Sequence, residues 1–118
     1  MHLDPETHRM TAIVLAGDRT KADSLINHTK AGSKAMIELD GTPMVRRVLN
    51  CLRVSRVVHR ICMTGPEASE VATDAALQRW IDDGEITWTE PSVSPSTSAY
   101  RAMLQLPPEE AVLLTTAD

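Results

Sequence analysis

Short apolar runs and helical stripes alternate along this chain. Thr11-Ala12-Ile13-Val14-Leu15-Ala16 is a continuous, partly β-branched run stopped by Gly17, the pattern of a buried strand. Residues 17–33 show no period and read as one long loop, which inside a domain is usually functional or disordered. Asp40-Gly41-Thr42-Pro43 predicts a turn running into a helix, with Thr42 as cap and Pro43 at the first helical position. Met44, Val45, Val48, Leu49 and Leu52 then share one helical stripe, with Arg46, Arg47 and Arg53 largely off it.

A second strand is expected over 57–63, closed by Thr64-Gly65-Pro66. A helix over about 66–81 follows, with Val71, Ala75, Leu77 and Ile81 inward, and Gly84 breaks it. Residues 85–89 alternate like a strand, 91–95 form a loop, and 96–106 form a helix that Ser96 or Ser98 would cap. Ala111–Thr116 reads as a last strand, buried on both faces and central in its sheet. Strands alternating with helices specify an α/β domain with a mostly parallel sheet. Residues 1–10 are expected to be a flexible arm and 11–118 the domain, read as the first half of a longer one. An unfinished sheet would expose apolar surface, so self-association is expected.

Composition narrows the function. The chain has 118 residues, 42% of them hydrophobic and 24% charged, which is ordinary globular material. A net charge of −4 argues against a duplex nucleic-acid binder. Aromatics at 3% leave few rings for stacking single strands. No apolar run has the length of a membrane span, and MHLDPETHRM lacks the apolar region of a secretory signal, so a cytoplasmic location is expected. Cys51 and Cys62 form no disulfide framework, and Cys62 reads as a small core residue. The four histidines have no partner at metal-ligand spacing, and His59 reads as structural or edge-facing. Arg46, Arg47, Arg53, Arg56 and Arg60 read as a solvated face.

In open parallel sheets, ligands sit beyond the carboxyl ends of the strands. Two such ends carry polar chemistry. The segment after Gly17 holds Arg19, Lys21, Lys30 and Lys34 against Asp18 and Asp23. A glycine lets backbone amides approach an anion, and the cations neutralise phosphate charge. A solvated loop carries similar charges, and no Walker or dinucleotide motif is present. Asp118 follows the last strand, where a carboxylate suits Mg²⁺ that phosphates and waters also ligate. A plain turn aspartate is the alternative.

Leu15-Ala16-Gly17, then Gly32-Ser33-Lys34-Ala35, then Gly41-Thr42-Pro43-Met44 resemble the opening of the MobA-like nucleotidyltransferases. Val112–Asp118 is similar to that family's later strand, which ends in a metal-binding aspartate, and Ser98-Ala99-Tyr100-Arg101-Ala102-Met103 resembles its helix near the nucleobase. The resemblance implies a Rossmann-like sheet of the glycosyltransferase-A type. It implies transfer of a nucleoside monophosphate from a nucleoside triphosphate to a phosphorylated small-molecule or molybdopterin-type acceptor, with Mg²⁺ and release of pyrophosphate.

By this likeness Leu15, Ala16, Gly17, Arg19, Lys34 and Ser98 would bind nucleotide. Lys34 would also stabilise the reacting phosphates, and Asp118 would hold the metal. GTP or CTP would be the donor, although the residues leave all four bases open. The family's Gly-Gly-x-Gly-x-Arg loop is here Gly17-Asp18-Arg19-Thr20, short of two glycines. That departure keeps two other readings open: a nucleotide-binding or regulatory module without turnover, and an interaction domain with no ligand. This 118-residue chain alone is expected to bind nucleotide without turning it over.

Overall fold

The computed structural model describes residues 10–17, 34–92 and 94–117. The sheet contains β1 (Met10–Leu15), β4 (Val58–Thr64), β5 (Thr87–Thr89) and β6 (Ala111–Thr116) in the order β5-β4-β1-β6. All three pairings are parallel. Helices connect and flank the strands: α1 (Met44–Arg53), α2 (Ala68–Val71), α3 (Ala75–Asp82) and α4 (Pro95–Leu104). This is the α/β, Rossmann-like arrangement that the alternating pattern specifies.

β1 lies between β4 and β6, so its run is buried on both faces: Thr11, Ala12, Ile13 and Val14 have no exposed surface. One face carries the main core, where Val14, Val45, Leu49, Ile61, Met63, Leu77 and Ile86 pack together. Each such aliphatic side chain removed from water contributes roughly 1.5–3 kcal/mol. The α1 stripe is as predicted. Val45 and Leu49 are fully buried, and Val48 and Leu52 pack against the same cluster.

Four features differ from the sequence pattern. Asp40 and Gly41 (φ 53° and 80°) form the two-residue turn of a small hairpin, β2 (Glu38–Leu39) with β3 (Thr42–Pro43). The strands' own twist selects such a left-handed turn. Pro43 is therefore the extended residue before α1, and neither Thr42 nor Pro43 supplies a side-chain cap.

The expected helix over 66–81 is two helices. At the break, Thr73 Oγ1 donates to Glu70 O at 2.6 Å, and Asp74 is extended. Asp74 Oδ2 lies 2.7 Å from Arg46 Nε, and neither atom has a hydrogen-bond partner elsewhere among the described residues. The ion pair ties the start of α3 to α1. Val71 and Leu77 point inward, but Ala75 is exposed.

Ser94, rather than Ser96 or Ser98, caps α4: its Oγ accepts from Thr97 N at 3.2 Å, with Pro95 at the first helical position. The last correction concerns β6. Among the described residues it pairs with β1 alone and is an edge strand, with Leu113 39% and Leu114 50% exposed. A continuous apolar run has the same appearance in a central strand and in an edge strand whose faces no helix covers.

Arg47, Arg56 and Arg60 are exposed as expected, whereas Arg46 and Arg53 are half-buried. Besides Arg46, Arg53 pairs with Glu85 at 2.9 Å and lies 4.1 Å over the Trp80 ring. Arg47 donates to the Leu39 carbonyl and so ties the hairpin to α1.

Candidate functional site

The carboxyl ends of β1, β4 and β6 are drawn together by backbone hydrogen bonds. Ala16 N donates to Thr64 O at 2.8 Å, and Ala117 N donates to Leu15 O at 3.1 Å. Gly65 N donates to Thr89 O at 2.9 Å, which brings in β5. The backbones of Gly17 and Gly65 touch: a Cβ on Gly65 would stand 2.8 Å from both Cα and N of Gly17. A Cβ on Gly17 would stand 2.9 Å from Pro91 Cβ. Two side chains are thus excluded where the strands end.

Leu15, Gly17 and Ser98 line one notch there, with Thr64, Pro91, Ser92, Ser94 and Pro95. Ala16 lies behind it, 3% exposed. The notch has a volume of about 10 Å³, room for roughly one water. Ser98 is 6% exposed, and its Oγ accepts from Ser92 N at 2.9 Å. It therefore fixes the segment after Pro91 against α4. Trp88 Nε1 donates to Pro66 O at 2.9 Å and holds the segment after β4 from below. Thr64, Pro91, Ser92 and Trp88 were not singled out from sequence. Their roles come from tertiary contact, and only the Pro and Ser content of 91–98 hinted at a built loop.

Lys34 opens a single 3-10 turn, Lys34–Met36, in which Ile37 N donates to Lys34 O at 3.1 Å. Ala35 and Met36 are 2% and 7% exposed and belong to the same apolar cluster as Ala16 and Ala117. Three buried alanines of one cluster thus stand next in sequence to three candidate residues: Ala16 before Gly17, Ala35 after Lys34, and Ala117 before Asp118. Asp118 itself, with Asp18, Arg19, Lys21, Asp23 and Lys30, lies outside the described residues.

Among the described residues no group of three or more His, Cys, Asp and Glu side chains could hold a metal ion. Asp118 follows the pinned Ala117 in sequence, and a hard carboxylate is the donor type that Mg²⁺ takes along with phosphates and waters. Cys62 is half-buried and free. Burial pushes its thiol up from the ordinary value; nearby Arg60 pulls it down and Glu110 pushes it up. No described helix is long and apolar enough to cross a membrane.

No curated protein sequence matches the chain at a significant level. A family model described as the MobA-like NTP transferase domain matches residues 12–118. The match runs from the third residue of β1 past the end of β6 and so takes in every residue that lines the notch. The chain belongs to the MobA-like NTP transferase family.

Proposed function

We propose that this domain transfers a nucleoside monophosphate from a nucleoside triphosphate to a phosphorylated small-molecule or molybdopterin-type acceptor. Family membership supports nucleotidyl transfer in general. The observation that supports a site at the strand ends is that Ala16, Ala35 and Ala117, the sequence neighbours of Gly17, Lys34 and Asp118, belong to one apolar cluster; the acceptor class follows from the family resemblance.

In this reading an acceptor oxygen attacks the α-phosphorus in line. The bond from that phosphorus to the bridging oxygen breaks, and pyrophosphate leaves with the electron pair. A phosphate acceptor brings no proton; a hydroxyl acceptor releases one to water. Such a step asks the protein for positioning and charge neutralisation. The phosphates would lie beyond the carboxyl end of β1, past Gly17 and outside the one-water notch. Lys34 and Arg19 offset their negative charge, Lys34 as a compact point charge that needs no fixed fork. Ser98 holds the 91–98 segment where the base side would lie. Mg²⁺ on Asp118 would supply further charge neutralisation at the phosphates.

One feature favours a second reading, a binding module without turnover: Asp18 directly follows Gly17 where the family loop has glycine. Incubation of the purified chain with each of the four nucleoside triphosphates, Mg²⁺ and a panel of phosphorylated acceptors decides between them. Acceptor-dependent pyrophosphate release supports transfer. Saturable nucleotide binding with no release supports the module.

A further inference from the structure

A polar cluster lies at the other end of the sheet, remote from Gly17. Glu110 is the residue before β6. Its Oε1 accepts from Thr11 Oγ1 at 2.7 Å and lies 3.0 Å from His59 Nε2. Thr11 is fully buried, and the Glu110 and His59 side chains are 14% and 27% exposed. The pairing of β1 with β4 shifts here. Met10 stands opposite Val58 but Thr11 opposite Arg60, so His59 is an extra residue in β4. One carboxylate oxygen thus joins three strands: β1 through Thr11, β4 through the extra His59, and β6 through its own backbone.

β6 needs such a fastening. It is Ala-Val-Leu-Leu-Thr-Thr, an edge strand among the described residues, with leucine on both faces and much of both leucines in solvent. Strand register is weakly specified where neither face is strongly buried. A slip of two residues toward the start of β1, which would set Leu114 opposite Thr11, would restore the backbone hydrogen-bond pattern and return each side chain to its own face. It would displace β6 by about 6.6 Å, at ~3.3 Å per residue. Glu110 separates the two registers. Only in the observed one does its carboxylate reach Thr11, and the slipped strand leaves a fully buried hydroxyl without that acceptor.

We infer that Glu110 is a positioning residue for the nucleotide site: by locking β6 to Thr11 and His59 it sets the register that delivers Ala117, and Asp118 after it, to the end of β1 beside Gly17. The observed register places Thr116 opposite Leu15, with Ala117 N on Leu15 O. The functional half of this inference rests on the proposed role of Asp118 in holding the metal.

The test reads register and metal response separately. In a Cys51→Ser, Cys62→Ala background, cysteines placed at Leu15 and Thr116 report the native register by oxidative cross-linking. Cysteines at Leu15 and Asp118 report the slipped one. Directly paired strand positions lie within disulfide reach. Glu110→Ala and Thr11→Val, the second nearly isosteric, should lose the 15–116 cross-link and gain the 15–118 one. Glu110→Gln keeps an acceptor, Thr11→Ser keeps the donor, and both should retain the native cross-link. In parallel, Glu110→Ala without added cysteines should lose the Mn²⁺-dependent gain in nucleoside triphosphate affinity and keep its metal-free affinity.

A lowered melting temperature with cross-links and metal response unchanged would overturn the inference and leave Glu110 a stabilising residue only. Should Glu110→Ala fail to fold, Thr11→Val decides on the same readouts. Should the parent chain show no Mn²⁺-dependent gain, the role of Asp118 fails, and the cross-links still decide the register.

Discussion

Gly65→Ala tests the close contact on which the site is built. Two costs add at this position. Gly65 has φ +71°, where an L side chain costs ~1–2 kcal/mol. The new Cβ would also stand 2.8 Å from Gly17 Cα and N and 3.1 Å from Ala16 C. Those are backbone atoms of the central strand's end, so no side-chain rotation relieves the clash. Forcing an extra methyl into a packed region costs ~1–3 kcal/mol, giving about 2–5 kcal/mol together. Against a typical total of ~5–15 kcal/mol this is a large loss.

Gly84→Ala isolates the first cost. Gly84 has φ +80° with nothing within 4 Å of a Cβ, at a helix end where Glu85 N donates to Trp80 O and Gly84 N to Ile81 O. It should cost about 1–2 kcal/mol. Gly17→Ala isolates the second: its φ is ordinary, and its Cβ would meet Pro91 at 2.9 Å. Urea unfolding of the three variants, read by tryptophan fluorescence, gives the comparison. If Gly65→Ala is no more damaging than Gly84→Ala, the tight approach of the two glycine backbones is wrong, and with it the account of the strand ends.

Lys34→Ala should weaken nucleoside triphosphate binding about ten- to a hundredfold, the loss of one charge-assisted contact, while Lys30→Ala should cost much less. Calorimetric titration of both variants checks this, and equal small losses would reduce the segment to a diffuse positive field. Asp74→Ala leaves Arg46 Nε without its ionic partner; the site is partly open to solvent, so the expected loss is ~1–3 kcal/mol in thermal or urea unfolding. Cys62 should alkylate more slowly than exposed Cys51 in the native chain and equally fast in denaturant, as read by mass spectrometry. Because the folded Cys62 thiol titrates above its ordinary value of 9.0, its contribution is complete below that pH and is lost as pH rises through the folded value. Stability should therefore fall more steeply above pH 9.0 in the parent than in Cys62→Ala.

The fold was legible where one residue pattern has one solution. Thr11–Ala16 is buried because its β-branched content and glycine stop favour a strand and because β4 and β6 flank that strand on either side, and the α1 stripe can face only the core. The misreadings share a cause. Burial of β6, the break at Ala72–Asp74 and the cap of α4 are decided by partners far along the chain or by competition among neighbouring hydroxyls. Ser94, Ser96 and Ser98 are equivalent as letters; packing assigned the first to the cap and the third to Ser92. The hairpin was present as Asp40-Gly41 between β-compatible residues, a recognised two-residue turn signal that the helix start overshadowed. Of the candidate site, Gly17, Lys34 and Ser98 were singled out through family likeness. The contact of Gly17 with Gly65 and Pro91 was not, because a glycine shows only that a side chain is missing and not what excludes it.

The alanines also bear on the departure at Asp18. A methyl side chain loses no rotamer entropy on burial and keeps neighbouring backbones close. Ala16 and Ala35 are therefore suited to fix the two flanks of residues 18–33 on one cluster that also holds Val14, Met36, Val45 and Leu49. Because both flanks are held by their own side chains, the sheet and α1 do not rely on which residues stand immediately after Gly17. In the proposed function an aspartate at position 18 would then bear on ligand affinity and not on the folded sheet. The fold can persist while the phosphate chemistry is altered, and membership in a transferase family is accordingly compatible with either turnover or binding alone. What separates them is the charge that residues 18–33 and Asp118 present to a triphosphate, not the packing beneath.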